Sequence, residues 1–161
     1  MKRVWIFSLL VMLIGCFSVN AKKAVDDVPA YEITGAGTGT QGTYLVEVTV
    51  TTKDKNVSDA ALKRAAVNGV LFRGFSDPTS RKTQKPLAGS AANEAEHADF
   101  YKEFFSDSGT AANYANIVPG SRSMTKVDKN YRTKATVSVN KESLLKYLQE
   151  VGVVKGLNSI F

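Results

Sequence analysis

Along Thr43–Thr52 apolar and polar residues alternate with a period of two. Tyr44, Val46, Val48 and Val50 fall on one face; Leu45, Glu47, Thr49 and Thr51 fall on the other. With so many β-branched residues, that period predicts a half-buried strand whose polar face meets water. The period then changes. Leu62, Ala65, Ala66, Gly69 and Val70 recur at helical spacing, so residues 58–72 read as a helix with Ser58 as N-cap and Asp59 in its first turn. Small residues on the buried side would let this helix lie close to a sheet. A second helical stripe covers 94–105, with Phe100, Tyr101, Phe104 and Phe105 on one aromatic face, and Asn93-x-x-Glu96 resembles a capping box at its start. Residues 121–127 and 131–139 read as a hairpin turning through Asp128-Lys129-Asn130. Asn140 then caps a helix over 141–151 with Leu144, Leu145, Leu148 and Val151 as its apolar stripe, stopped by Gly152.

Between these elements, residues 31–34 read as a short first strand and 35–42 as a glycine-rich connection. Residues 74–92, with Gly74, Pro78, Pro86 and Gly89, read as a long loop. Residues 112–117 fit strand or helix equally, and the apolar tail 153–161 is suited to docking as an edge strand. The order β-β-α-α-β-β-α, with two antiparallel pairs, predicts an α+β two-layer sandwich: a mainly antiparallel sheet with helices on one face and water on the other.

The first 21 residues stand apart. Lys2 and Arg3 precede an apolar run over 4–15, the length of a signal h-region and short of the ~20 apolar residues that span a bilayer. Val19-Asn20-Ala21 suits cleavage before Lys22. A second pattern overlaps it: Leu13-Ile14-Gly15-Cys16 resembles a bacterial lipobox, which implies that Cys16 would become a lipidated first residue. Both cleavages are carried as expectations, lipid-anchored or soluble. Residues 22–29 form a polar lead-in, and 30–161 form one α+β domain. Cys16 is the only cysteine, so the domain has no internal disulfide and depends on its core. The formal charge of +6 falls by two when Lys2 and Arg3 leave with the leader. So mild a charge suits an anionic neighbour without marking a nucleic-acid binder.

Motifs that could carry chemistry read as structural. Gly37-x-Gly39-x-x-Gly42 matches a dinucleotide fingerprint, but it precedes a strand, where no helix N-terminus can meet a pyrophosphate. It reads as a glycine-rich turn, and no nucleotide or other cofactor is expected. Ser138-x-x-Lys141 and Ser143-x-x-Lys146 match S-x-x-K without the Ser-Asp-Asn and Lys-Thr-Gly elements that accompany it in β-lactamases. His97 is the only histidine and has no cysteine with which to build a zinc site. Arg122, Lys126, Arg132 and Lys134, expected on the outward face of the last hairpin, with Arg81, Lys82 and Lys85 on the 74–92 loop, are the candidate partner-binding residues.

The succession of strand Thr43–Thr52, helix 58–72 and hairpin-to-helix stretch 131–151 resembles small envelope domains of bacterial lipoproteins and of accessory subunits in secretion or flagellar machines. The resemblance is one of layout over about two thirds of the chain. It implies an exported, non-catalytic interaction or assembly module, periplasmic or associated with the outer membrane, whose partner is another envelope protein. A small-ligand or polysaccharide-binding protein and a cell-wall or glycan hydrolase are the alternatives.

Overall fold

The computed structural model describes residues 28–89 and 91–155. The leader 1–21 with Cys16, the lead-in up to residue 27 and the tail 156–161 lie outside the described residues. Among the described residues no helix is long and apolar enough to cross a membrane.

The elements in chain order are β1 (Tyr31–Gly35), β2 (Thr43–Thr52), α1 (Asp59–Asn68), β3 (Phe75–Ser76), β4 (Thr83–Gln84), α2 (Ala91–Glu96), α3 (Ala98–Phe105), β5 (Ala115–Ile117), β6 (Ser123–Val127), β7 (Asn130–Asn140) and α4 (Lys141–Glu150). The main sheet runs β1-β2-β7-β5, and β6 pairs with β7 on the edge that β5 occupies further along. Every pairing is antiparallel. This is an α+β fold, as the periodicities predict, and the reason lies in two strands. Val46, Val48 and Val50 of β2 stand beside Val137, Ala135 and Thr133 of β7, all buried, while Glu47, Thr49, Arg132 and Lys134 project from the other face. Burying each valine stabilises the fold by roughly 1.5–3 kcal/mol.

The helices cover the buried face. Ser58 caps α1 by accepting from the Ala61 N–H at 3.1 Å. The helix does not end at Asn68: Gly69–Arg73 continues it with π-type hydrogen bonds, closed by the Gly74 N–H on Gly69 O at 2.9 Å. Gly69 is where the helix meets the sheet. A Cβ there would sit 2.6 Å from Ile33 Cδ1 and 3.1 Å from Tyr31 Cε2, so a larger residue would make the Ile33 side chain move. Asn140 caps α4 by accepting from the Ser143 N–H at 3.0 Å, and Leu144 and Leu148 are fully buried.

Four local expectations are corrected. The 74–92 segment is not one irregular loop, because β3 and β4 form a short hairpin within it. Its turn is held by Asp77, whose carboxylate accepts from Thr79 N–H, Ser80 N–H and Ser80 Oγ–H. Asn93 is no cap. It lies inside α2, donates to Val153 O at 2.6 Å and accepts from the Tyr101 hydroxyl at 2.9 Å. The 94–105 helix is broken at His97, whose φ of −112° separates α2 from α3. Val151 is exposed at 43%: after Gly152 the chain turns back and Val153 takes the buried position, its N–H bonded to Leu148 O at 2.9 Å.

Candidate functional site

The polar face of the sheet is a mosaic of charges. Lys134 Nζ lies 2.8 Å from Glu47 Oε1 on β2, and Arg132 reaches across β2 to Glu32 Oε2 on β1 at 3.1 Å. Arg122, in the turn before β6, pairs with Asp59 in the first turn of α1 and donates to Val57 O. Lys126 does not share the outward face expected of it: it stands opposite Tyr131 on the helical side of β6, 5.8 Å from that ring's centroid, and has no acidic partner among the described residues. Arg81, Lys82 and Lys85 are exposed on the β3–β4 hairpin. That hairpin packs at the Gly35 and Tyr44 end of the sheet, whereas Lys134 and Arg132 pair with Thr49 and Thr51 at the other end of β2. The seven basic candidates therefore form two groups: one on the last hairpin, one on the short hairpin.

The β6–β7 hairpin extends past the helical layer. Every residue of β6 is exposed, on both faces, although β6 is hydrogen-bonded to β7. Register places Met124 on the helical side with Thr133, and Ser123, Thr125 and Val127 on the outer side with Lys134, Arg132 and Asn130. Met124 and Val127 are 44% and 42% exposed, large apolar side chains that no helix covers. The outer edge of β6 is paired with no strand among the described residues. Asp128, at a φ of 54°, makes the tight turn into β7. Unpaired edges recruit other strands unless something blocks them. Here the Pro119-Gly120 turn interrupts the edge between β5 and β6, with Ser121 Oγ holding it against Thr136.

At the opposite rim, the glycine-rich connection faces the short hairpin across a cleft of about 200 Å³. One wall is Gly37 to Gly39 with Thr43; the other is Asp77, Ser80, Lys82 and Gln84; Tyr44 and Phe75 supply the aromatic part. The two rings meet edge-on, with centroids 5.3 Å apart and planes at 78°. The Tyr44 hydroxyl donates to Gln84 Oε1 at 3.2 Å, and Lys141 Nζ lies 4.8 Å from the Tyr44 ring centroid. Gly35 lets the walls approach, since a Cβ there would be 2.6 Å from that of Asp77. The Ser80 hydroxyl first, then the Thr79 and Ser80 amides, hold the Asp77 carboxyl below its ordinary range, so it is ionised at neutral pH. The sequence does not show this cleft, because its walls are far apart in the chain: the Gly37-x-Gly39-x-x-Gly42 pattern of one wall reads as a turn, and nothing in it points to Asp77, Ser80 and Lys82 opposite. The pairing of glycine-rich connection with glycine-flanked loop was the only available signal.

The weighed motifs take structural positions. Gly37, Gly39 and Gly42 belong to a strand-to-strand connection, with the Thr43 N–H bonded to Thr40 O and Gly42 O accepting from the Glu142 N–H. In the first S-x-x-K pair, Lys141 is engaged with Tyr44; in the second, Lys146 Nζ lies 3.9 Å from Glu150. His97 makes no side-chain hydrogen bond among the described residues, and no group of three His, Cys, Asp or Glu side chains there is placed to hold a metal ion. The aromatic face of α3 is divided. Tyr101 and Phe105 are fully buried, whereas Phe100 is half-buried and stacks with Phe104, their centroids 5.6 Å apart.

Together these features define a two-layer α+β domain with an overhanging edge hairpin and a rim cleft. Set beside known protein families, characterised proteins and solved structures, the chain matches none of them.

Proposed function

We propose that this chain is an exported, non-catalytic docking module of the cell envelope, which engages an extended segment of another envelope protein along β6. The observation that carries the reading is β6 itself: a strand exposed at all five positions, its outer edge unpaired among the described residues. Strand addition supplies main-chain hydrogen bonds, and side chains at alternate positions supply selectivity. Met124 offers apolar contact on one face and Val127 on the other. Lys126, on the same side as Met124, and Lys129 in the turn have no acidic partners among the described residues and favour an acidic segment, whereas Arg132 and Lys134 on the outer side are paired with Glu32 and Glu47. The leader over 1–21 supports export, and Cys16 would add a lipid anchor if cleavage falls before it.

A photo-crosslinking residue at Thr125, expressed in the producing cell, tests the reading against the same residue at exposed Asp99 on α3. The expected result is a discrete envelope-fraction adduct from position 125 alone, weakened by Lys126→Glu. Equal labelling from both positions, or none from 125, would count against it.

A further inference from the structure

The rim cleft lies at the far end of β2 from β6 and plays no part in strand docking. We propose that it binds a neutral pyranose ring. Size comes first: about 200 Å³ is below the range of sites for drug-sized ligands and suits one six-membered ring.

Charge narrows the ligand. The lining carries one carboxylate, Asp77, and one ammonium, Lys82, so the wall is balanced. A phosphate site would gather donors and positive charge, and a cation site would gather carboxylates. Neither is built here.

Hydrogen-bonding capacity narrows it further. An ionised carboxylate has about four acceptor positions. Asp77 Oδ1 receives two amides and Oδ2 receives only the Ser80 hydroxyl, at 2.8 Å, which leaves Oδ2 an acceptor position for a ligand. Thr43 Oγ1 donates to Thr40 O at 2.8 Å and accepts from the Thr40 hydroxyl at 3.0 Å, which leaves it one acceptor position. Gln84 uses its carbonyl oxygen on Tyr44, which leaves its amide hydrogens, and Lys82 adds three more donors. The lining thus offers both donors and acceptors, matching hydroxyls that must each give and receive. Phe75 and Tyr44 line the same cleft and supply its apolar contact for the C–H groups of a sugar ring, which a small inorganic ion would not use.

Saturation-transfer NMR on the full mature chain tests this with the methyl glycosides of glucose, galactose and N-acetylglucosamine. Inorganic phosphate and choline are titrated in parallel, followed by amide spectra. At least one glycoside is expected to receive saturation at its ring protons and to shift the amides of Gly37, Thr43 and Lys82. Phe75→Leu, which keeps an apolar side chain but removes the ring, should weaken binding by up to about tenfold. Lys126→Gln, on the distant hairpin, should leave it unchanged. If Phe75→Leu disturbs the fold, Gln84→Ala on the facing wall reads the same loss. The proposal is overturned if no glycoside shifts those amides in a folded sample. Shifts that survive both cleft variants, or shifts produced there by phosphate or choline, overturn it equally.

Discussion

The Tyr31 hydroxyl donates to Asn68 Oδ1 at 2.5 Å, tying the first strand to the last turn of α1. Both residues are buried, and the Arg73 guanidinium lies over the tyrosine ring, 4.1 Å from its centroid. Removing one partner strands the other away from water, a penalty of about 1–3 kcal/mol. Tyr31→Phe should therefore lower the urea midpoint by that equivalent. In a double-mutant cycle with Asn68→Ala, the second substitution should add less than its single effect. Full additivity would show that the bond carries no coupling.

Burial is the main cause that raises the hydroxyl pKa of both Tyr31 and Tyr101, the latter from 10.0 to about 12, with Glu94 a lesser contributor in each case. A raised pKa means that the folded state keeps a proton the unfolded chain releases. The associated stability is complete below pH 10 and falls as pH climbs toward 12. Each such tyrosine contributes a slope of roughly 1.4 kcal/mol per pH unit across that window. Tyrosinate absorbance of these two residues should appear together with loss of the far-ultraviolet helical signal. Ionisation of all the tyrosines in a chain that stays folded would contradict the burial argument.

Asp77 titrates with the opposite sign. Its carboxyl is held low by the Ser80 hydroxyl and the two turn amides, so the stabilisation is present above the ordinary carboxylate pKa and is lost as pH falls below it. Acidification should loosen the β3–β4 hairpin, read as faster amide exchange at Thr79 and Ser80. Asp77→Asn should already show that loosening at neutral pH.

Gly74 has a φ of 68° and a ψ of −172°, a backbone region open almost only to glycine, and a Cβ there would run into Gln84 O. Gly74→Ala should cost on the order of 1–3 kcal/mol from backbone strain alone. Gly89 also has a positive φ, 84°, but has nothing within 4 Å of the added carbon. Gly89→Ala should be the milder change by thermal melting, and equal losses would mean that the contact with Gln84 is immaterial.

Export has its own test. Intact-mass measurement of the protein recovered from the producing cell should show a chain lacking at least residues 1–15. Cys16→Ser separates the two cleavages, since only a lipidated chain would change fraction. A full-length chain in the cytoplasm would remove the case for an envelope role.

The sequence made the elements with a regular period readable. The alternation in β2, the Ser58 and Asn140 caps and the hairpin around Asp128 all rest on near neighbours, and near neighbours hold them in the fold. Asn93 was misread because a capping pattern describes local geometry, whereas its side chain is spent on Val153 and Tyr101. The β3–β4 hairpin stayed hidden because two-residue strands have no detectable period. Its stability comes from Asp77 and from packing beside Gly35. Of the candidate surface residues, the basic side chains were visible, but their acidic partners on β1, β2 and α1 were not.

The longest strand, β7, comes late in the chain, with only α4 after it among the described elements. Thr43 pairs with Asn140, and β2, β5 and β6 all use β7 as their neighbour. A chain emerging from its N-terminus has α1 and half a sheet but nothing to close the valine core, because ring closure over so long a stretch must wait for the final third. A polypeptide arranged in this way leaves its valine core open until β7 is delivered.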